Sequence, residues 1–399
     1  MKQRLFITFL TGIFFLKLSA QQTTITGPAG SENFGSSITV LTNGNYVVAD
    51  RLYDEGATLN VGAVYLYNGN THALISVLKG STANDQIGSG GIVVLTNGNF
   101  VVVSSVWDNG AITNAGAVTW CSGATGLTAV VSSSNSLVGS NVNDNVGASG
   151  VIALSNGNYV VCSSSWNNGA TADVGAVTWC DGTTGLAGAV SSSNSLIGGT
   201  ASDVVGAYGI VGLSNGNYVV RSPFWRNGAI MNAGAVTWCN GTTGRTGTVS
   251  SANSLVGSTA EDQVGASEVI ALGNGHYVVL IQTWDNGAVV DAGAVTWCNG
   301  TTGRTGSISS SNSLVGSTTG QFLGANGITM LTNGHYVVPN PGWDNGAVPD
   351  AGAATWCNGT TGRTGTISSS NSLVGTTSGD MGNLIVVPLS NGNYVVVNT

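Results

Sequence analysis

Charge is what this chain has least of: only 7% of its 399 residues are Asp, Glu, Lys or Arg. That excludes coiled coils and long exposed helices, which depend on polar faces and i,i+4 ion pairs. Proline is limited to 6 residues, and glycine, though it numbers 61, does not recur at every third position, so collagen is excluded. A hydrophobic fraction of 42% excludes disorder, which needs low hydrophobicity and high net charge. Beyond the N-terminus, no apolar run approaches the ~20 residues of a membrane-spanning helix. What remains is a compact, turn-dense, β-rich chain.

Lys2 and Arg4 precede the apolar run Leu5–Leu18, and Leu18-Ser19-Ala20 leads into Gln21. This charged, apolar, small-residue order predicts a secretory signal peptide over 1–20, and hence a protein that is secreted or held at the cell surface. Its removal leaves seven basic residues against 18 acidic ones. A surface of that sign repels phosphate backbones, so a nucleic-acid partner is not expected, and without an apolar run of spanning length membrane insertion is not expected either.

The main signal is repetition. Asn-Gly-[Asn/His]-[Tyr/Phe] begins at Asn43, Asn97, Asn156, Asn215, Asn274, Asn333 and Asn391, at spacings of 54, then 59 four times, then 58. Trp-[Asp/Asn/Arg]-Asn-Gly-Ala begins at Trp107, Trp166, Trp225, Trp284 and Trp343, and Tyr53-Asp54-Glu55-Gly56-Ala57 fills that slot in the first copy. Thr-Trp-Cys ends at Cys121, Cys180, Cys239, Cys298 and Cys357. A fixed period marks one architecture copied many times, so residues 21–399 are expected to form a single domain of seven repeats.

Each copy reads as four strands. In the fifth, the apolar run from Val264 to Leu272 (strand A) meets Asn274-Gly275, a type I′ hairpin dipeptide. His276–Ile281 is strand B, Ala292–Cys298 strand C, and a polar stretch ending at Leu314-Val315-Gly316 strand D. Apolar A and B strands with a polar D strand suit four-stranded sheets packed around an axis. The expected fold is an all-β, seven-bladed β-propeller with period 59. Its last blade is incomplete, stopping after strand B, and Thr23-Thr24-Ile25-Thr26-Gly27 is expected to close the ring.

Leu78-Lys79-Gly80, Ile87-Gly88, Asn97-Gly98-Asn99-Phe100-Val101-Val102 and Gly116-Ala117-Val118 resemble the FG-GAP repeat of integrin α-chain propellers. Asn33-Phe34-Gly35-Ser36 and Gly62-Ala63-Val64-Tyr65-Leu66-Tyr67 resemble it more closely. The copies also resemble an uncharacterised repeat of large secreted bacterial surface proteins. The resemblance implies a seven-bladed ring. The A–B loop, only Leu-[Ser/Thr/Gly]-Asn-Gly, departs from the FG-GAP calcium loop and cannot build an oxygen cage for Ca²⁺.

Five of the 6 cysteines occupy one slot in successive copies and are expected to be free, since stacked sheets lie farther apart than a disulfide spans. Cys162 and Cys180 stand on neighbouring strands, and a hairpin register summing to 342 would bridge them.

Strand alternation is expected to gather Tyr53, Asp54, Trp107, Asp108, Trp166, Asn167, Trp225, Trp284, Asp285, Trp343 and Asp344 on one rim, beside Asp85, Asp144, Asp203 and Asp262. Aromatic planes beside carboxylates and amides suit a sugar, whose CH faces stack while its hydroxyls accept and donate hydrogen bonds. Weak sites, one per copy, would add through multivalency. The contrasting reading makes each Trp a packing residue and each Asp or Asn a turn cap. His72, His276 and His335 have no metal-ligand spacing, and no Gly-x-Ser-x-Gly elbow is present, so no metal, cofactor or catalysis is expected. The expected function is a secreted binding or adhesion module, a monomer or part of a larger surface assembly, whose partner is a glycan or cell-surface polymer. The alternatives are a purely structural repeat module without a ligand of its own and, last, a hydrolase.

Overall fold

The computed structural model describes residues 23–398, so the expected signal peptide over 1–20 lies outside the described residues. These residues contain strands, bridges and turns but no helix. In the first copy β1 (Ser37–Val40), β2 (Tyr46–Asp50), β3 (Ala63–Tyr67) and β4 (Leu74–Lys79) pair antiparallel in chain order. The second repeats the pattern with β5 (Gly91–Val94), β6 (Phe100–Ser104), β7 (Ala117–Cys121) and β9 (Ser136–Val138).

The Asn-Gly turns differ from the type I′ expectation, in which both central residues take φ > 0. Only Gly44 does so here, at φ 86°; Leu41 N–H donates to Asn45 O (2.8 Å) and Gly44 N–H to Leu41 O (3.0 Å). Asn43 instead accepts Asn45 N–H on Oδ1 (3.1 Å), which leaves its amide NH₂ free to reach out of the hairpin.

The polar strand D is split between two sheets. Its first piece, β8 (Ala129–Val130), pairs parallel with β4 of the preceding copy, with Leu78 opposite Ala129. A serine-rich turn follows, built on Asn135, whose Oδ1 accepts Ser132 N–H and whose Nδ2 donates to Val130 O, both at 2.9 Å. The chain then returns as β9 to its own sheet. Gly188–Ala189, Gly247–Thr248, Gly306–Ser307 and Gly365–Thr366 repeat this crossing, each pairing parallel with the sheet before. Five sheets thus hold five strands and a sixth holds four; Leu384–Pro388 and Tyr394–Asn398 form a separate hairpin.

Alternating side chains cover both faces of each sheet. Val47, Ala49, Val64 and Leu66 of the first sheet pack on Phe100, Val102, Ala117 and Cys121 of the second. An equivalent apolar layer joins each later pair of neighbours. The layers run in chain order, and no sheet is closed into a ring. The seven-bladed closed propeller is therefore overturned. Closure needs an N-terminal strand in the last sheet, but residues 23–28 form no strand, and Ile25 and Phe34 pack on the outer face of the first sheet. The ends of the array accordingly leave apolar side chains in solvent: Ile38 and Val40 are 63% and 68% exposed, and Val395 and Val397 are 45% and 37% exposed.

The expected Cys162–Cys180 bridge is also corrected. All six cysteines are buried and free. Cys162 lies opposite Val177 and Cys180 opposite Tyr159, three residues out of the register a bridge requires, and the two thiols belong to different apolar layers. Burial pushes the Cys162, Cys180, Cys239, Cys298 and Cys357 thiols up to about 12. The nucleophilic thiolate is then absent near neutral pH. Ellman's reagent in mildly alkaline buffer should titrate none of the six thiols in the folded protein and all six after denaturation; a shortfall of two in the unfolded chain would reveal a bridge.

Candidate functional site

The Trp-Asp-Asn-Gly loops were the expected ligand rim, and the structure turns them inward. Trp107, Trp166, Trp225, Trp284 and Trp343 are only 2–5% exposed and sit inside the layers between sheets. They offer no free stacking face, which corrects their assignment as an exposed rim. Four of these indoles, all but Trp225, bury an N–H without a partner among the described residues.

The polar members of the loop are engaged locally. Asp108 Oδ1 accepts the N–H of Asn114 (2.7 Å), and Asp54, Asn167, Asp285 and Asp344 accept in the same way from Asn60, Asp173, Asp291 and Asp350. These donors, six residues further on, have φ between 50° and 55°, a left-handed conformation that Asn and Asp tolerate best among non-glycine residues. The following Asn109, Asn227, Asn286 and Asn345 donate to Gly139, Gly257, Gly316 and Gly375 carbonyls at 2.9–3.1 Å.

The aspartates before strand A of the second to fifth copies, Asp85, Asp144, Asp203 and Asp262, are fully buried. Asp85 Oδ2 accepts Ser81 and Thr82 N–H (2.7 and 2.8 Å), and its Oδ1 accepts Asp108 N–H at 3.1 Å. Asp144, Asp203 and Asp262 latch their loops in the same manner. Burial nevertheless raises the Asp262 pKa from its usual value, while hydrogen bonds from Thr259 oppose the shift. No group of three or more His, Cys, Asp and Glu converges on a metal-sized point among the described residues.

A second constellation links the copies. Gly182, in the turn after Cys180, accepts on its carbonyl from Asn97 Nδ2 (2.7 Å), Asn99 Nδ2 (3.0 Å) and Trp120 Nε1 (2.9 Å), all of the preceding copy. Gly241 accepts from Asn156, Asn158 and Trp179, and Gly300 from Asn215, Asn217 and Trp238. Asn274 and Trp297 hold Gly359, and Asn43 and Asn45 hold Gly123. Asn158 also accepts Gly182 N–H on Oδ1 (3.1 Å), so one side chain ties its own turn to the next. His276 and His335 take this acceptor role with Nδ1 in the later copies. Only glycine fits the turn: a Cβ on Gly182 would lie 1.7 Å from Gly157 O.

A third feature breaks the repetition. Where later copies carry Trp, Thr and Cys, the first carries Tyr53, Tyr65 and Tyr67. Phe34 and Tyr65 meet edge-on at 5.5 Å, Tyr53 and Tyr65 at 6.4 Å, and Tyr46 stacks on Tyr67 at 5.4 Å. Beside them opens a cavity of about 630 Å³. Of these tyrosines, only Tyr53 was expected at a site. The signal for Tyr65 and Tyr67 was their departure from an otherwise constant slot.

Stacked sheets copied on a 59-residue period, each clamped to the next, define an all-β tandem-repeat protein. The chain belongs to the family described as a repeat of unknown function (DUF5650), which matches residues 40–89, 94–148, 153–207, 212–266, 271–325 and 330–383. Six copies are matched where seven were expected, and FG-GAP identity is not shown. No curated protein matches the sequence. Among solved structures, the extracellular domain of a protein assigned as a hybrid two component system from B. thetaiotaomicron is similar at 11% identity, over 83% of this chain and 36% of that one, with TM-score 0.29. The computationally designed Ika8 protein is similar at 14% identity, over 93% of this chain and 98% of that one, with TM-score 0.25. Likenesses this faint carry no argument about shape. Among the described residues no helix is long and apolar enough to cross a membrane.

Asn158→Ala removes an acceptor from Gly182 N–H and a donor to Gly241 O, and should destabilise the protein by about 1–3 kcal/mol. Trp179→Phe, which keeps most of the ring and loses one donor, should cost about 1 kcal/mol. Denaturant midpoints measure both; unchanged midpoints would show that the clamp contributes nothing.

Proposed function

We propose that the repeated part of this chain is structural: a secreted or cell-surface spacer whose copies hold one another in place without a ligand of their own at the Trp-Asp-Asn-Gly loops. One observation carries this reading. The repeated side chains suited to a sugar are already engaged, with the indoles of the loops inside the apolar layers and the loop Asp and Asn oxygens on backbone N–H groups. The acidic balance of the chain and its scarcity of basic residues suit an extracellular spacer that must not bind polyanions. Nothing in the loops calls for catalysis, since the buried aspartates are held by hydrogen bonds that fix the loops themselves.

Trp284→Phe separates the structural reading from adhesion through the loops. The substitution should lower stability by about 1–3 kcal/mol through lost packing volume. It should leave the profile on a glycan array unchanged. A glycan signal that disappears in this variant while its melting temperature holds would defeat the reading.

A further inference from the structure

The two ends of the array carry complementary halves of one interface. In the interior, Val93, its cross-strand partner Val101, and Val103 share an apolar layer with Val151 and Ala153 of the following copy, which stand opposite Val161 and Tyr159. Ile38 and Val40 occupy the slots of Val151 and Ala153, opposite Val48 and Tyr46, and both are exposed. At the other end Val387, Val395 and Val397 occupy the slots of Val93, Val101 and Val103, and all three are exposed. The opposite face of their hairpin packs on Leu331, Val337 and Ala354. Neither exposed patch includes a charged side chain.

The glycine clamp is divided in the same way. Gly69, two residues past Tyr67, is the first copy's counterpart of Gly182: its N–H donates to Asn45 Oδ1 (3.2 Å), and a Cβ on it would lie 1.9 Å from Gly44 O. Gly123 and Gly182 accept on their carbonyls from asparagines of the copy before, but Gly69 O has no donor among the described residues. Asn391 and Asn393 are the last hairpin's counterparts of Asn97 and Asn99. Asn391 Oδ1 accepts Asn393 N–H (3.0 Å), and neither amide NH₂ has an acceptor among the described residues. One end thus holds the donors of a clamp, and the other holds its acceptor.

What one end lacks, the other does not require. The last hairpin has no strand C or D beside it among the described residues. The first copy has no crossing strand that would pair with a strand D, because β4 stays on β3 from Leu74 to Lys79. Over β3, where strands C and D of a preceding sheet would lie, Ile25 and Phe34 already pack on Ala63, Tyr65 and Tyr67. Only the side that strands A and B would cover is open, at Ile38 and Val40.

From the divided layer, the divided clamp and this fit, we propose that the two ends form a head-to-tail interface between molecules of this protein. The last hairpin of one molecule seats on β1 of the next, with Val387, Val395 and Val397 against Ile38 and Val40, and Asn391 and Asn393 donate to Gly69 O. The two surfaces differ, so the contact is heterologous and association runs past the dimer. It uses only the ends of the array and is independent of the role proposed for the repeated loops.

Sedimentation of the mature chain over a range of concentrations tests this. The weight-average mass should rise with concentration beyond that of a dimer. Val40→Lys at one end and Val395→Lys at the other, both at exposed positions, should each leave a monomer with an unchanged melting temperature. Mixed, the two variants should form a dimer of one with the other and nothing larger, since each keeps the end that the other has lost. Asn393→Ala should weaken association of the parent about fivefold, the effect of one neutral hydrogen bond. The proposal is overturned if the mass stays that of a single chain at every concentration. It is equally overturned if either Lys variant still associates by itself, which would mean contact between like ends, or if the mixture remains monomeric.

Discussion

In five copies one backbone carbonyl, that of the glycine two residues after the repeated cysteine slot, receives hydrogen bonds from one or two asparagines and, in four of them, an indole of the copy before it. Hydrophobic burial between sheets is non-directional and would tolerate sliding. The clamp is not: its donors come from the A–B turn and from strand C of one copy, and its acceptor from a turn of the next. It fixes how far each sheet is displaced against its neighbour. The parallel pairing of the short crossing strand with the preceding sheet acts in the same direction, so two kinds of contact to the backbone and one apolar layer agree at each interface between successive sheets of the first six copies.

Much of the local structure was legible because it depends on nearby residues. The period and the A, B and C strands follow from spacing and alternation. The polar strand was misread because its two halves obey different partners: Ala129 pairs with Leu78, a contact that lies far outside any local pattern. The Asn-Gly turn was misread for a related reason. Asn43 looked like a residue chosen for backbone conformation, whereas its side chain reaches Gly123 in the next copy.

Closure was not legible at all. Whether stacked sheets curve back on themselves depends on the angle between neighbours and on what the first residues do, and neither leaves a trace in period or composition. The rim failed on a different point. Trp flanked by Asp, Asn and Gly reads as exposed, but the loop folds so that Asp108 serves Asn114 and the indole of Trp107 turns beneath it. Tyr65 and Tyr67 of the first copy escaped notice because they occur once, in a slot that carries Thr and Cys elsewhere.

The uniformity of the interfaces bears on how such a gene changes. Any two cuts placed at matching slots, 59 residues apart, rejoin donors with acceptors of the same kind, as when Asn99 would meet Gly241 in place of Gly182. Unequal crossing-over can therefore add or remove whole copies with no junction to re-evolve, and the number of stacked sheets becomes a trait adjustable by recombination alone.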